Sequence, residues 1–190
     1  MGSRARDAEW ESLILWIPAT LIGWFGGIAI AIVLTYSVVM RFHPEETNLI
    51  VGLCGGIGIG TGQIVSFRRK RPLNYRWILG TTIGMGIPYT VAVMLREGWL
   101  QAIDVSDTLL VIIAIVAGAL AGVTQAPSLK RHTTKASWWI WASVVSWTVA
   151  WLISDGFNEW GFLIGALVYG ALSGSFLIWL IGTSASGESV

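Results

Sequence analysis

Residues 56–77 read GIGIGTGQIVSFRRKRPLNYRW, and residues 118–139 read GALAGVTQAPSLKRHTTKASWW. Both stretches carry Gly-x-x-x-Gly-x-x-Gln, a pair of basic residues five and six positions after the glutamine, and a tryptophan fourteen positions after it. The matched residues are Gly56, Gly60, Gln63, Arg68, Arg69 and Trp77 in one copy and Gly118, Gly122, Gln125, Lys130, Arg131 and Trp139 in the other. Glycines four apart lie on one helix face. Such stripes let two helix backbones approach closely, the usual mode of helix association in lipid.

The register extends upstream. Trp16, Trp77 and Trp139 stand at steps of 61 and 62 residues. Three positions on come Ala19, Gly80 and Ala142; four on come Thr20, Thr81 and Ser143; seven on come Gly23, Gly84 and Ser146; eleven on come Gly27, Pro88 and Ala150. These offsets trace one helix face of small residues. In the last copy the frame reads Gly170-x-x-x-Gly174-x-x-Leu177, with neither glutamine nor basic turn. The chain is therefore expected to hold three helical hairpins, at about residues 12–66, 73–128 and 135–182, the third degenerate.

Composition says where such hairpins live. The 190 residues are 54% hydrophobic and only 12% charged, with a mean hydropathy of +0.68. A soluble domain carries about a quarter charged residues. Cutting at charged residues leaves uncharged windows at 12–40, 47–67, 77–95, 108–129, 136–154 and 160–187. A membrane-crossing helix needs about 20 apolar residues, which the shortest windows just reach. The expected fold is all-α: a single membrane domain of six transmembrane helices, pseudo-threefold about the membrane normal, with a flexible tail at 183–190. Arg4 and Arg6 before an apolar run imitate a signal peptide, but Asp7, Glu9 and Glu11 stand where one should be basic, so the first helix is expected to be retained.

Orientation follows from the basic residues. With the amino end inside, Arg4, Arg6, Arg68, Arg69, Lys70, Arg71, Arg76, Lys130, Arg131 and Lys135 are inside, ten of the twelve. Arg41 and Arg96 are outside with seven acids. Basic loops stay cytoplasmic, so both termini are expected there, in a bacterial inner membrane.

The recurring Gly-x-x-x-Gly-x-x-Gln, basic pair and hairpin-opening tryptophan, carried by Gly56 to Trp77 and Gly118 to Trp139, resemble a largely uncharacterised family of small bacterial multi-span proteins. Gly165 to Gly174 look like that family's last helix. The resemblance implies architecture and no activity. Pro127 and Ser128 depart from the pattern and make an irregular helix end the expectation there.

No Asp, Glu, Lys, Arg or His falls inside a predicted span. Ion-coupled carriers and intramembrane enzymes place ionisable groups or metals in the membrane. The chain is therefore expected to be non-catalytic, without a metal site. His43 and His132 fall in loops on opposite sides, and Cys54 stands alone. Gln63 and Gln125 are candidates for contact with a lipid headgroup or the magnesium of a pigment, or for interhelical hydrogen bonds. Trp147 and Trp151, four apart in a tryptophan-rich helix, are candidates for stacking on a quinone, carotenoid or other flat ligand. The residues identify no particular cofactor. Arg68, Arg69, Lys70 and Arg71 are suited to anionic headgroups as well as to fixing topology. Pro88, near Gly84 and Gly86, marks a hinge or a fixed bend in its helix.

The leading expectation is an accessory or structural subunit of a membrane assembly, with the lipid bilayer and other membrane subunits as partners and no nucleic acid. The alternative is neutral-solute transport, as in substrate-binding subunits of energy-coupling-factor transporters. Those subunits resemble this chain in size and span number, and use small residues spaced like Gly23, Gly27 and Ala31 to meet their partner.

Overall fold

A computed structural model describes residues 3–38, 44–67, 73–96, 107–156 and 158–185. All the regular structure among them is helical: α1 (Ser3–Val38), α2 (Pro44–Phe67), α3 (Tyr75–Arg96), α4 (Asp107–Leu129), α5 (Trp138–Gly156) and α6 (Asn158–Ala185). Four of the six are long and apolar enough to cross a membrane, with apolar stretches at Ile14–Ser37, Leu49–Phe67, Asp107–Leu129 and Leu163–Gly182. In α5 the apolar stretch Trp138–Ser154 is 17 residues, about 26 Å at 1.5 Å per residue and close to the lower limit for a span. Helix α3, with 22 residues, is of comparable length. Large apolar side chains such as Ile22, Val33, Val65 and Val123 point outward along the bundle. An apolar exterior of this kind is compatible with a membrane-embedded protein.

The helix ends refine the sequence expectations. Helix α1 begins at Ser3, several residues before its apolar stretch, and α6 continues to Ala185, past Thr183 where a tail was expected. Helix α4 carries Pro127 in its last turn and still runs regularly to Leu129. Its ring and missing N–H deprive the Val123 carbonyl, four residues back, of the usual intrahelical donor, and only two residues of the helix follow it. Helix α3 runs unbroken through Pro88. Its start is fixed by Asn74, whose Oδ1 accepts the Arg76 N–H at 3.1 Å as a helix cap does. The same oxygen accepts the Ser128 hydroxyl at 2.6 Å, tying the end of α4 to the start of α3.

Consecutive helices pack on one another and α6 returns to α1, so the bundle closes into a ring. Glycine sets the seams. Gly23 and Gly27 of α1 lie against the backbone of Gly58 and Cys54 in α2. Gly80 and Gly84 of α3 face Gln125 and Ala121 in α4. The other face of each even helix is equally close. A methyl added at Gly56 would lie 2.6 Å from Thr82 Cα in α3, and one at Gly60 would lie 2.8 Å from Ile78 Cα. At Gly118 and Gly122 the corresponding distances are 2.6 Å to Val144 Cα and 2.7 Å to Ile140 Cα in α5. The α6–α1 seam is looser: a methyl at Gly170 would sit 3.6 Å from Ile17 Cα, in ordinary contact. Gly174 is buried within α6.

Substitution at these seams is therefore expected to separate by position. Gly122→Leu should lower stability in detergent by about 1–3 kcal/mol or more, because the side chain meets backbone. Gly26→Leu, at a position with nothing within 4 Å, should leave thermal unfolding unchanged. Equal stability of the two variants would remove the packing role assigned to Gly122.

Candidate functional site

At the end of the bundle holding the α2–α3 and α4–α5 connections, three indoles meet in the interior. Trp16, Trp77 and Trp139 are 0%, 0% and 1% exposed. The Trp16 and Trp77 rings stand edge to face at 6.0 Å and 77°, and Trp77 lies 5.1 Å from Trp139. Phe67 adds a second edge contact to Trp16 at 5.2 Å. Such pairs contribute about 0.5–1.5 kcal/mol each beyond their buried area.

An indole N–H buried this deeply needs an acceptor. Two find it in the glutamines. Trp77 Nε1 donates to Gln63 Oε1 at 2.8 Å, and Trp139 Nε1 donates to Gln125 Oε1 at 2.8 Å. The amide nitrogens reach the other way. Gln125 Nε2 donates to Thr81 Oγ1 at 2.7 Å, and Gln63 Nε2 donates to Thr20 Oγ1 over a longer 3.4 Å. Each glutamine thus joins the threonine of the preceding odd helix to the tryptophan of the following one. Thr81 passes its own hydrogen to the Trp77 carbonyl at 2.9 Å. Where the third glutamine would stand is Leu177, fully buried. Trp16 Nε1 instead donates to Ser173 Oγ at 3.1 Å, one turn earlier in α6. The hydroxyl of Ser143, the counterpart of Thr20 and Thr81, is buried with no hydrogen-bond partner.

Beyond this layer, toward the opposite end, the bundle holds a half-open cavity of about 80 Å³. Trp24 from α1, Ile59 from α2, Trp147 and Trp151 from α5, and Ala166 and Tyr169 from α6 line it. Trp147 and Tyr169 lie ring on ring, 4.6 Å apart at 40°. The Trp147 indole nitrogen is buried without a hydrogen-bond partner. A second groove, between α5 and α6, opens outward and is lined by Trp138, Trp141, Phe176 and Trp179, with the Lys135 ammonium 5.5 Å over the Trp179 ring.

Of the residues singled out in the sequence, Trp147 and Trp151 lie together at the cavity. Gln63 stands behind its wall, linked to the lining residue Thr20. Gln125 lies elsewhere, bonded to Thr81 and Trp139. Arg68, Arg69, Lys70 and Arg71 lie outside the described residues. Among the described residues, no group of three His, Cys, Asp or Glu is placed to hold a metal. In the sequence Trp16, Trp77 and Trp139 mark the register of the repeat, and their role as partners of the glutamines and of Ser173 was missed. The identical fourteen-residue interval from Gln63 to Trp77 and from Gln125 to Trp139 was the available signal.

No family model, curated protein or solved structure matches the chain.

The bridges lead to an asymmetric expectation. Gln125→Leu should cost about 1–3 kcal/mol in chemical unfolding, since it leaves the Trp139 indole N–H buried and unpaired. Leu177→Gln, entering the core layer that also holds Trp16, Trp139 and Ala142, should stay within about 1 kcal/mol of wild type. A neutral Gln125→Leu would show that the bridge is dispensable.

Proposed function

We propose that the chain is a non-catalytic integral membrane protein of six spans, an accessory or structural subunit that holds a lipid or a lipid-soluble molecule for a larger membrane assembly. Its three hairpins are related by rotation about the membrane normal, since hairpins that all enter from the cytoplasm share one topology. Two supports for that symmetry are the matching glycine seams at Gly56, Gly60, Gly118 and Gly122 and the matching glutamine bridges.

The observation that carries the functional reading is the buried indole layer. The polar groups best suited to conduct or transform a solute, Gln63 and Gln125, are spent on Trp77 and Trp139, and all three indoles of the layer are buried. A packed indole layer offers water no path. The cavity beside the layer is lined, among the described residues, by mostly aromatic and apolar side chains, the chemistry of a lipid-soluble guest. The transport alternative needed the small face of α1 free to meet a partner. Gly23 and Gly27 instead lie on α2, and Ala31 is 0% exposed, which counts against it.

We also propose a bacterial inner membrane with both ends cytoplasmic, from the Lys and Arg distribution. A single cysteine at Thr134 should then react with an impermeant maleimide only from the cytoplasmic side, and one at Asn158 only from outside. Reversal of either would overturn the orientation. The functional reading is tested by purification from native membranes in mild detergent, followed by mass spectrometry of subunits and extracted lipids. A stoichiometric partner or retained lipophile is expected. A bare monomer carrying neither would overturn it.

A further inference from the structure

We infer that the cavity between α1, α5 and α6 is a binding site for a neutral, single-ring headgroup bearing a carbonyl oxygen, of the quinone class, whose apolar tail leaves between α6 and α1. This rests on the reading of the bundle as a holder of a lipid-soluble molecule and names the molecule's chemistry.

Four observations converge on that chemistry. The first is size. A water needs about 10–15 Å³ of such space, so a cavity of about 80 Å³ takes one ring and excludes a tetrapyrrole. The second is shape. Trp24, Trp147, Trp151 and Tyr169 supply flat faces, and planar guests stack on flat faces. The third is charge. Among the described residues, no Asp, Glu, Lys, Arg or His lines the cavity, so an ionic headgroup would meet no counter-charge from them. The fourth is Trp147, a lining residue whose indole N–H is buried without a partner; the acceptor assigned to it is a carbonyl oxygen of the guest.

The route in follows from the seams. On the α5 side, a methyl at Gly165 would lie 2.9 Å from the Ala150 carbonyl oxygen and from Ser154 Cβ, so α5 and α6 are closed together there. On the α1 side, Gly170 stands a full van der Waals distance from Ile17 and Thr20. The looser seam is where a prenyl or alkyl tail passes into surrounding lipid. The third hairpin lacks the glutamine that would join α6 to α1, and the cavity adjoins that same junction.

The test uses the full chain in nanodiscs titrated with decylubiquinone, reading intrinsic tryptophan fluorescence. Saturable quenching is expected. Trp147→Phe, which keeps a ring and removes the donor, should weaken the apparent Kd about threefold to tenfold. Ala166→Leu, which fills the cavity, should abolish the saturable component, with gel filtration confirming that both variants fold. Quenching that rises linearly and equally in all three proteins is partition into lipid and overturns the proposal, as does saturable binding that neither substitution alters. Linear quenching together with a co-purified acyl lipid overturns the quinone class while the broader reading stands. Linear quenching with neither lipophile nor partner recovered overturns both.

Discussion

Backbone contact across glycine sets every other distance in this bundle. Where Gly56 meets Thr82 and Gly118 meets Val144, no side chain separates the helices. In lipid, where apolar burial alone does not favour one helix pairing over another, dispersion and hydrogen bonds at such short range supply the association. The close approach also brings Gln63 and Gln125, on helices neighbouring two odd helices each, within reach of a tryptophan on one side and a threonine on the other. A wider seam would leave the amides short of one partner or the other.

Those amides in turn make the indole layer affordable. Three tryptophans packed at the centre of an apolar bundle would bury three N–H donors, each costing about 1–3 kcal/mol if unpaired. Gln63 accepts one, Gln125 a second, and Ser173 the third. Leu177 in the third glutamine's place leaves the link between α6 and α1 to Ser173, one turn earlier. It also leaves the Ser143 hydroxyl without a partner and coincides with the loosest seam of the ring. The aromatic cavity adjoins that junction, so the departure from regularity and the space for a guest share one location.

The cytoplasmic connections, in the proposed orientation, reinforce this arrangement locally. Asn74 caps α3 while accepting from Ser128 of α4. Thr133, in the α4–α5 turn, donates to the Leu180 carbonyl of α6 at 3.0 Å. The end of the bundle with the indole layer is thus tied by short polar links between residues 47 and 54 positions apart. The cavity end carries the Trp147–Tyr169 pair and an unpaired indole N–H instead.

The sequence by itself determined the helical class, the approximate limits of the helices and the residues at which their backbones would touch. Helix length and the four-residue spacing of glycine are local properties of the chain, and hydrogen bonding within each helix needs no tertiary information. Gly60 and Gly122 could be assigned to seams for that reason. Which helix each seam would meet was not legible, because a small-residue stripe has no address. Only the tertiary structure decided that Gly23 and Gly27 face α2, and that Gln63 and Gln125 pair with tryptophans fourteen residues away. It alone separated Trp139, in the indole layer, from Trp147 and Trp151 at the cavity, although all three share one face of α5. A side chain's surroundings depend on its depth along the bundle and on what the neighbouring helices offer at that depth. Both are fixed by the packing of remote segments and not by the pattern of any one helix.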